Sequence, residues 1–334
     1  MRLFFDNIIL KPFDLALRKF IIAVSADETI ENSEYLKTNG KYTRAPEVDT
    51  TKLNTMDSTT GKLITTATYN HTKEPVEVKK GDIVVYMLRV YNEGDIDGYA
   101  AEIKDHLPSN LEFVDGEFNE EYGWTISEDG KTVTTKYLEN QKISAAKWIP
   151  QMIGGLGQDI GGGYELSYKE VPIMCRVKDT AKVDEKITNI ADITKYLDED
   201  KKPVIDRDSQ EDNVNATEGN KPEYKDNEKG DYIPGQEDDD DFEKLIIPNF
   251  DLALRKQITS IYNSFNKKET KYNDRYARLD KTQNNTIYNY YDVDSNIPTV
   301  VENDVVTYSI RIYNEGKVDG TATWVTDRLP SGLQ

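Results

Sequence analysis

Three polar residues, Lys19, Asp105 and Asn189, fall in phase with apolar neighbours along alternating segments, and their side chains have the chemistry to form an amide. Side chains on a strand alternate between its faces. Lys19 therefore shares a face with Phe13, Leu15, Leu17 and Ile21, Asp105 with Ile103 and Leu107, and Asn189 with Ile187, Ala191 and Ile193. An unpaired charge in a dry core is costly, so three inward polar groups are expected to satisfy one another. Moving a proton from ammonium to carboxylate would leave no charge in the core. The neutral amine is a nucleophile, and the protonated carboxyl can polarise the Asn189 carbonyl. Attack would expel ammonia and join the first strand to the last. The competing reading has Lys19 snorkelling to water and Asp105 opening the turn before Pro108. Alternation alone leaves both open. The other phase of the first segment, Asp14, Ala16 and Arg18, is expected on a more exposed face, and His106, out of phase with the core, contributes no chemistry.

The elements that must position these residues occur twice. Phe13-Asp14-Leu15-Ala16-Leu17-Arg18-Lys19 recurs unchanged as Phe250 to Lys256, and Arg89-Val90-Tyr91-Asn92-Glu93-Gly94 recurs as Arg311-Ile312-Tyr313-Asn314-Glu315-Gly316. Asp105-His106-Leu107-Pro108 recurs as Asp327-Arg328-Leu329-Pro330. Copy two thus keeps Lys256 and Asp327 but has no counterpart of Asn189, and it stops where copy one continues. The expected organisation is the end of a preceding linker at 1–12, a complete first repeat at 13–205, an acidic linker at 206–243 and a truncated second repeat at 244–334, cut from a longer array.

Residues 197 to 243 hold 18 acidic and 6 basic residues, most of the chain's net charge of −19. Such a stretch buries too little apolar surface to offset its ordering entropy, so a solvated, self-repelling linker is expected. Asp206, Asp208, Glu211 and Asp212 are oxygen ligands dense enough to hold calcium, yet they lack the glycine and the twelfth-position glutamate of an EF-hand loop. No other cofactor is implied.

Charge and composition narrow the function. A strongly acidic chain is a poor partner for nucleic acid or an anionic membrane, and no apolar run is long enough for a membrane span. The opening residues lack the pattern of a signal peptide, so any export address would lie outside the chain. The 21 tyrosines and the many threonines and valines favour strands. Strand patterns fall near 13–24, 62–69, 83–92, 99–107, 111–114, 122–126, 132–137, 164–178 and 186–195, separated by Gly, Asn, Asp and Pro clusters. That spacing predicts an all-β sandwich or barrel. Lys147 to Ile153 reads as a short helix leading into a glycine-rich loop at 154–163 whose spacing fits no phosphate-binding motif. Cys175 alternates with buried positions and reads as a core residue. No pair of carboxylates has the logic of a hydrolase. The 25–75 connection, with Tyr35, Tyr42, Tyr69 and His71, is the alternative functional feature, a surface for a glycan or host protein. Its aromatic counterpart in copy two comprises Tyr272, Tyr276, Tyr288, Tyr290 and Tyr291.

Gly81-Asp82-Ile83-Val84-Val85-Tyr86, the Asn92-Glu93-Gly94 turn and the Asp105-His106-Leu107-Pro108 segment resemble the conserved-repeat Ig-like domain of Gram-positive surface proteins. The Phe13 to Lys19 opening and Asn189-Ile190-Ala191 look like its clostridial version, similar to isopeptide-forming pilin and adhesin domains. This resemblance implies Ig-like β-sandwich repeats in a non-enzymatic, structural or adhesive protein of the cell surface or wall, with neighbouring repeats as its partners. It also implies a Lys19–Asn189 crosslink assisted by an acid, Asp105 or, as runner-up, Glu93.

Overall fold

The computed structural model describes residues 11–27, 41–152, 159–214, 237–273, 275, 278–280, 290–292 and 297–334. The chain divides into two units, Met1–Ile247 and Pro248–Gln334. It is almost wholly β, as the patterning predicts.

In the first unit the described strands are β1 (Leu15–Ser25), β2 (Glu47–Asp49), β3 (Thr68–Asn70), β4 (Val76–Glu77), β5 (Ile83–Asn92), β6 (Gly98–His106), β7 (Leu111–Phe113), β8 (Thr125–Ile126), β9 (Thr132–Thr135), β10 (Lys147–Met152), β11 (Asp159–Glu165), β12 (Tyr168–Val177), β13 (Lys186–Asp198) and β14 (Asp240–Ile246), with a short helix, α1 (Glu117–Glu121), after β7. One sheet has the order β1-β5-β12-β7 and the other β4-β14-β13-β6-β9-β8, antiparallel except for the β4–β14 pair. Leu15, Leu17, Ile21, Tyr86 and Leu88 of the first sheet meet Ile103, Val133, Ile187, Ala191, Ile193 and Leu245 of the second in one core. The two-sheet packing is a β-sandwich.

Three expectations fail for physical reasons. Lys147–Met152 is a strand paired with Asp159–Glu165, not a helix. The second phase of β1 is not exposed, because Asp14, Ala16, Arg18 and Phe20 are all buried. The outer face of the first sheet carries its own cluster of Phe20, Ile22, Val85, Met87 and Met174, covered by Tyr42 and Phe118, so β1 is enclosed on both sides. The acidic stretch is not all linker either: Asp240–Ile246 pairs with β13 from Lys186↔Ile246 to Asp192↔Asp240 and belongs to the first unit. Its charges are met by distant partners. Arg44 binds Glu243 at 2.9 Å, Lys73 binds Asp241 at 2.7 Å, and the Lys19 backbone N–H donates to Asp241 Oδ2 at 2.6 Å. Composition could not reveal these partners, which lie far off in sequence. The reading of 1–12 as a linker end falls almost wholly outside the described residues.

In the second unit, β15 (Leu252–Asn263), β16 (Lys268–Lys271) and β19 (Val305–Asn314) form a sheet of order β16-β15-β19, and β17 (Arg278–Asp280) pairs with β18 (Tyr290–Asp292). The β15–β19 register repeats that of β1–β5: Lys256 faces Ile310 as Lys19 faces Leu88, with a bulge two residues on in each.

Candidate functional site

Lys19 lies mid-way along β1 in the phase of the inter-sheet core, and its side chain is completely buried. The Lys19 ammonium meets the Asp105 carboxylate on β6, whose side chain is equally buried. On β13, Ala191 faces Asp105, so Asn189 stands one same-face position along the neighbouring strand. Asn189 has no exposed surface, and neither carboxamide atom makes a hydrogen bond of normal geometry among the described residues. The second oxygen of Asp105, Oδ1, is likewise buried without a partner.

Tyr86 of β5 stands among these groups. The Lys19 Nζ sits 4.7 Å from its ring centroid, and the Asn189 side chain and the Asp105 charge both act on its phenol. Burial foremost, with nearby Cys175 and Asp105, holds that phenol well above its ordinary value of 10, so it stays protonated and able to donate. Sequence reading missed Tyr86, although its recurrence as Tyr308 at the repeat spacing was a signal. Glu243, opposite Asn189 in the register, was also missed. It accepts from Arg44 and from the Ile21 N–H, and burial raises its pKa against the pull of Lys73 and Arg44.

Glu93, the other candidate acid, is not at the lysine. Its carboxylate binds the Tyr69 hydroxyl and the Ala67 N–H, and burial, then the Asp238 charge, push it to about 8. In the second unit Lys256 binds Asp327 at 2.6 Å and lies 4.1 Å from the Tyr308 ring centroid, with side chains 29% and 36% exposed.

The proposed calcium quartet is split. Asp206 and Asp208 group with Asp14 and Asp238, whereas Glu211 accepts from the Tyr196 N–H and Asp212 pairs with Lys104. His106 is mostly buried and contacts Asp192 at 2.8 Å. Cys175 is buried and free, in the core phase of β12.

The 25–75 connection supplies part of a cleft of about 810 Å³ in which Tyr42 and Glu47 face Arg89, Tyr91 and Tyr168. Arg89 stacks 4.3 Å from the Tyr168 ring centroid and binds Glu170 at 2.6 Å. Two residues expected on that surface turn inward: Tyr69 is buried against Glu93, and the His71 side chain is packed beside Lys73 and Asp241. Tyr35, Tyr276 and Tyr288 lie outside the described residues.

No family model matches the chain, and no curated protein is found similar to it. Among solved structures, the pilus backbone protein RrgB of Streptococcus pneumoniae is similar at 13% identity and a TM-score of 0.21, over 46% of this chain and 52% of that one. The chain thus spans about half of the streptococcal protein. The major pilin subunit BcpA of Bacillus cereus is similar at 16% identity and a TM-score of 0.23, over 68% of this chain and 63% of that one. A substituted form of the same pilin gives 15% identity, with the same score, over 75% and 67%. The geometry around Lys19 stands independently of these likenesses.

Proposed function

We propose that this chain is a structural repeat of a bacterial cell-surface protein, and that its first unit closes an intramolecular amide between Lys19 and Asn189. The observation that carries the reading is a fully buried lysine–aspartate pair beside a fully buried asparagine whose carboxamide makes no hydrogen bond of normal geometry among the described residues. Leaving such groups in a core is costly, and an amide would remove both the charge and the unmet carboxamide.

The steps balance without any co-reactant. The Lys19 ammonium passes a proton to Asp105. The neutral amine attacks Cγ of Asn189 while the Asp105 hydroxyl donates to Oδ1, and the tetrahedral intermediate expels its original nitrogen as ammonia, Asp105 relaying the proton. Tyr86 provides a second donor for the developing oxyanion. A bond from residue 19 to residue 189 closes a loop of about 170 residues, which by the chain-entropy estimate for disulfides stabilises the unit by roughly 5 kcal/mol. A pull on β1 would pass through the bond to β13, which suits a stalk under shear.

Intact-protein mass tests this. The chain should be lighter than its sequence by one ammonia, and Lys19→Ala should have its full sequence mass. A wild-type chain at full mass would end the crosslink reading.

The Arg89–Tyr168 cleft favours a second reading, a binding surface for glycan or host protein. Planar aromatic and guanidinium faces beside carboxylates suit a sugar ring. Glycan-array binding that Tyr168→Ala abolishes would support it, and an array without signal would remove it.

A further inference from the structure

We propose a divalent-cation site, of a chemistry suited to calcium, formed by Asp14, Asp206, Asp208 and Asp238. One oxygen from each lies within 4.8 Å of the others. Two oxygens bound on opposite sides of one calcium at about 2.4 Å each stand about 4.8 Å apart, so the four match the spread of ligands around a single ion. All four donors are hard oxygens, as calcium requires.

Acidic clusters on protein surfaces are common without a metal, but this one is enclosed. Asp14 is 0% exposed and Asp206 5% exposed. Most of their oxygens are satisfied. Asp206 Oδ2 accepts from the Leu15 N–H at 2.8 Å, and its Oδ1 from the Asp208 and Ser209 N–H groups at 3.2 and 3.3 Å. Asp238 accepts from the Thr66 hydroxyl at 2.7 Å and the Ser209 hydroxyl at 2.8 Å, and Asp14 Oδ2 pairs with Arg207. Two of the eight, Asp14 Oδ1 and Asp208 Oδ1, are buried and have no hydrogen-bond partner among the described residues. Native proteins seldom leave such acceptors unmet, and a bound ion is one of the standard explanations.

The charge balance points the same way. Arg207 pairs with Asp14 within the cluster, and it also donates to Asn54 Oδ1 at 2.7 Å and the Thr65 carbonyl at 2.5 Å. Arg18 stacks 4.0 Å from the Tyr69 ring centroid and donates to the Leu17 and Asp238 carbonyls. Four carboxylates this close repel one another, and a divalent cation would offset that repulsion.

Such an ion would bind together the start of β1, the segment leaving β13 and the segment entering β14. It acts independently of the amide, which intact mass reads separately. The test is calorimetric titration of the full, chelator-stripped chain with calcium chloride alone, alongside equilibrium dialysis for stoichiometry. One ion per chain is expected, with a raised thermal midpoint, and Asp208→Asn should weaken binding at least tenfold while Asp212→Asn leaves it unchanged. Should Asp208→Asn not fold, the wild-type stoichiometry and the Asp212→Asn titration decide. The absence of bound calcium up to about 10 mM, above the usual range for extracellular calcium modules, overturns the proposal. Binding lost in Asp212→Asn overturns this ligand set as well.

Discussion

The two copies hold the same lysine, the same aspartate and the same tyrosine ring, but residues 250–334 correspond only to the part of the first repeat that precedes β13 and β14. Lys19 and Asp105 are completely buried, whereas Lys256 and Asp327 keep 29% and 36% exposure. The Asn-Glu-Gly turn is also shared: Asn92 accepts from the Gly94 N–H and donates to the Ile96 carbonyl, as Asn314 does with Gly316 and Val318. What differs is the layer above the lysine. In the first unit β13 and β14 supply Asn189 and Glu243 and exclude water. The motif makes an ion pair, and the covering strands turn that pair into a candidate reactive centre, because charges in water have no reason to react.

The sharpest way to break the comparison is Asp105→Ala. It removes the proton acceptor while leaving Lys19 and Asn189, so the chain should have full mass and lose roughly 5 kcal/mol with the clamp, measured by denaturant unfolding. A variant still lighter by one ammonia would show that another acid serves. Next comes Gly94→Ala. A Cβ there would lie 2.7 Å from the Asp14 nitrogen and 2.8 Å from the Pro12 oxygen, and overpacking against backbone costs about 1–3 kcal/mol. Gly316→Ala meets backbone at 2.5 and 2.7 Å, but in a less buried unit that can give way, and should cost less.

A pH titration sharpens the contrast further. Burial, then Lys73, lower His71 to about 3. Its unfolded value is 6.5, so the unfolded chain binds the extra proton first and stability falls as pH drops from 6.5 towards 3, by at most about 1.4 kcal/mol per pH unit. His71→Phe should flatten that slope in urea midpoints, and an unchanged slope would assign it to other groups. The smallest effect is expected from Asp327→Ala, below about 1 kcal/mol for a partly exposed pair. Tyr86→Phe probes rate instead: the amide should still form, roughly 10²-fold more slowly if the phenol serves the oxyanion, as a time course of mass would reveal.

Much of this was legible in the sequence because it is local. Alternation at Leu15, Leu17, Lys19 and Ile21 and the phase of Ile103, Asp105 and Leu107 made an inward lysine and aspartate one of two readings, and burial of both side chains agrees with it. Apart from the hairpin at Lys147–Glu165, the failures are long-range. Nothing near Asp241 or Glu243 announces that Lys73 and Arg44 will neutralise them, and nothing near Asp14 announces Asp206, Asp208 and Asp238. Glu211 and Asp212 were grouped with Asp206 by adjacency alone, and the chain sends them to Tyr196 and Lys104. Residues that repeat keep their roles across copies, whereas charges recruited from afar leave no local mark.

Strand β14 has a practical consequence for dissecting the two repeats. A repeat trimmed after residue 205 would strip β13 of its hydrogen-bonding neighbour from Lys186 to Asp192 and leave that edge open. Unpaired edges recruit other chains. Such a fragment should therefore self-associate in gel filtration, while one extended through Ile247 should elute as a monomer.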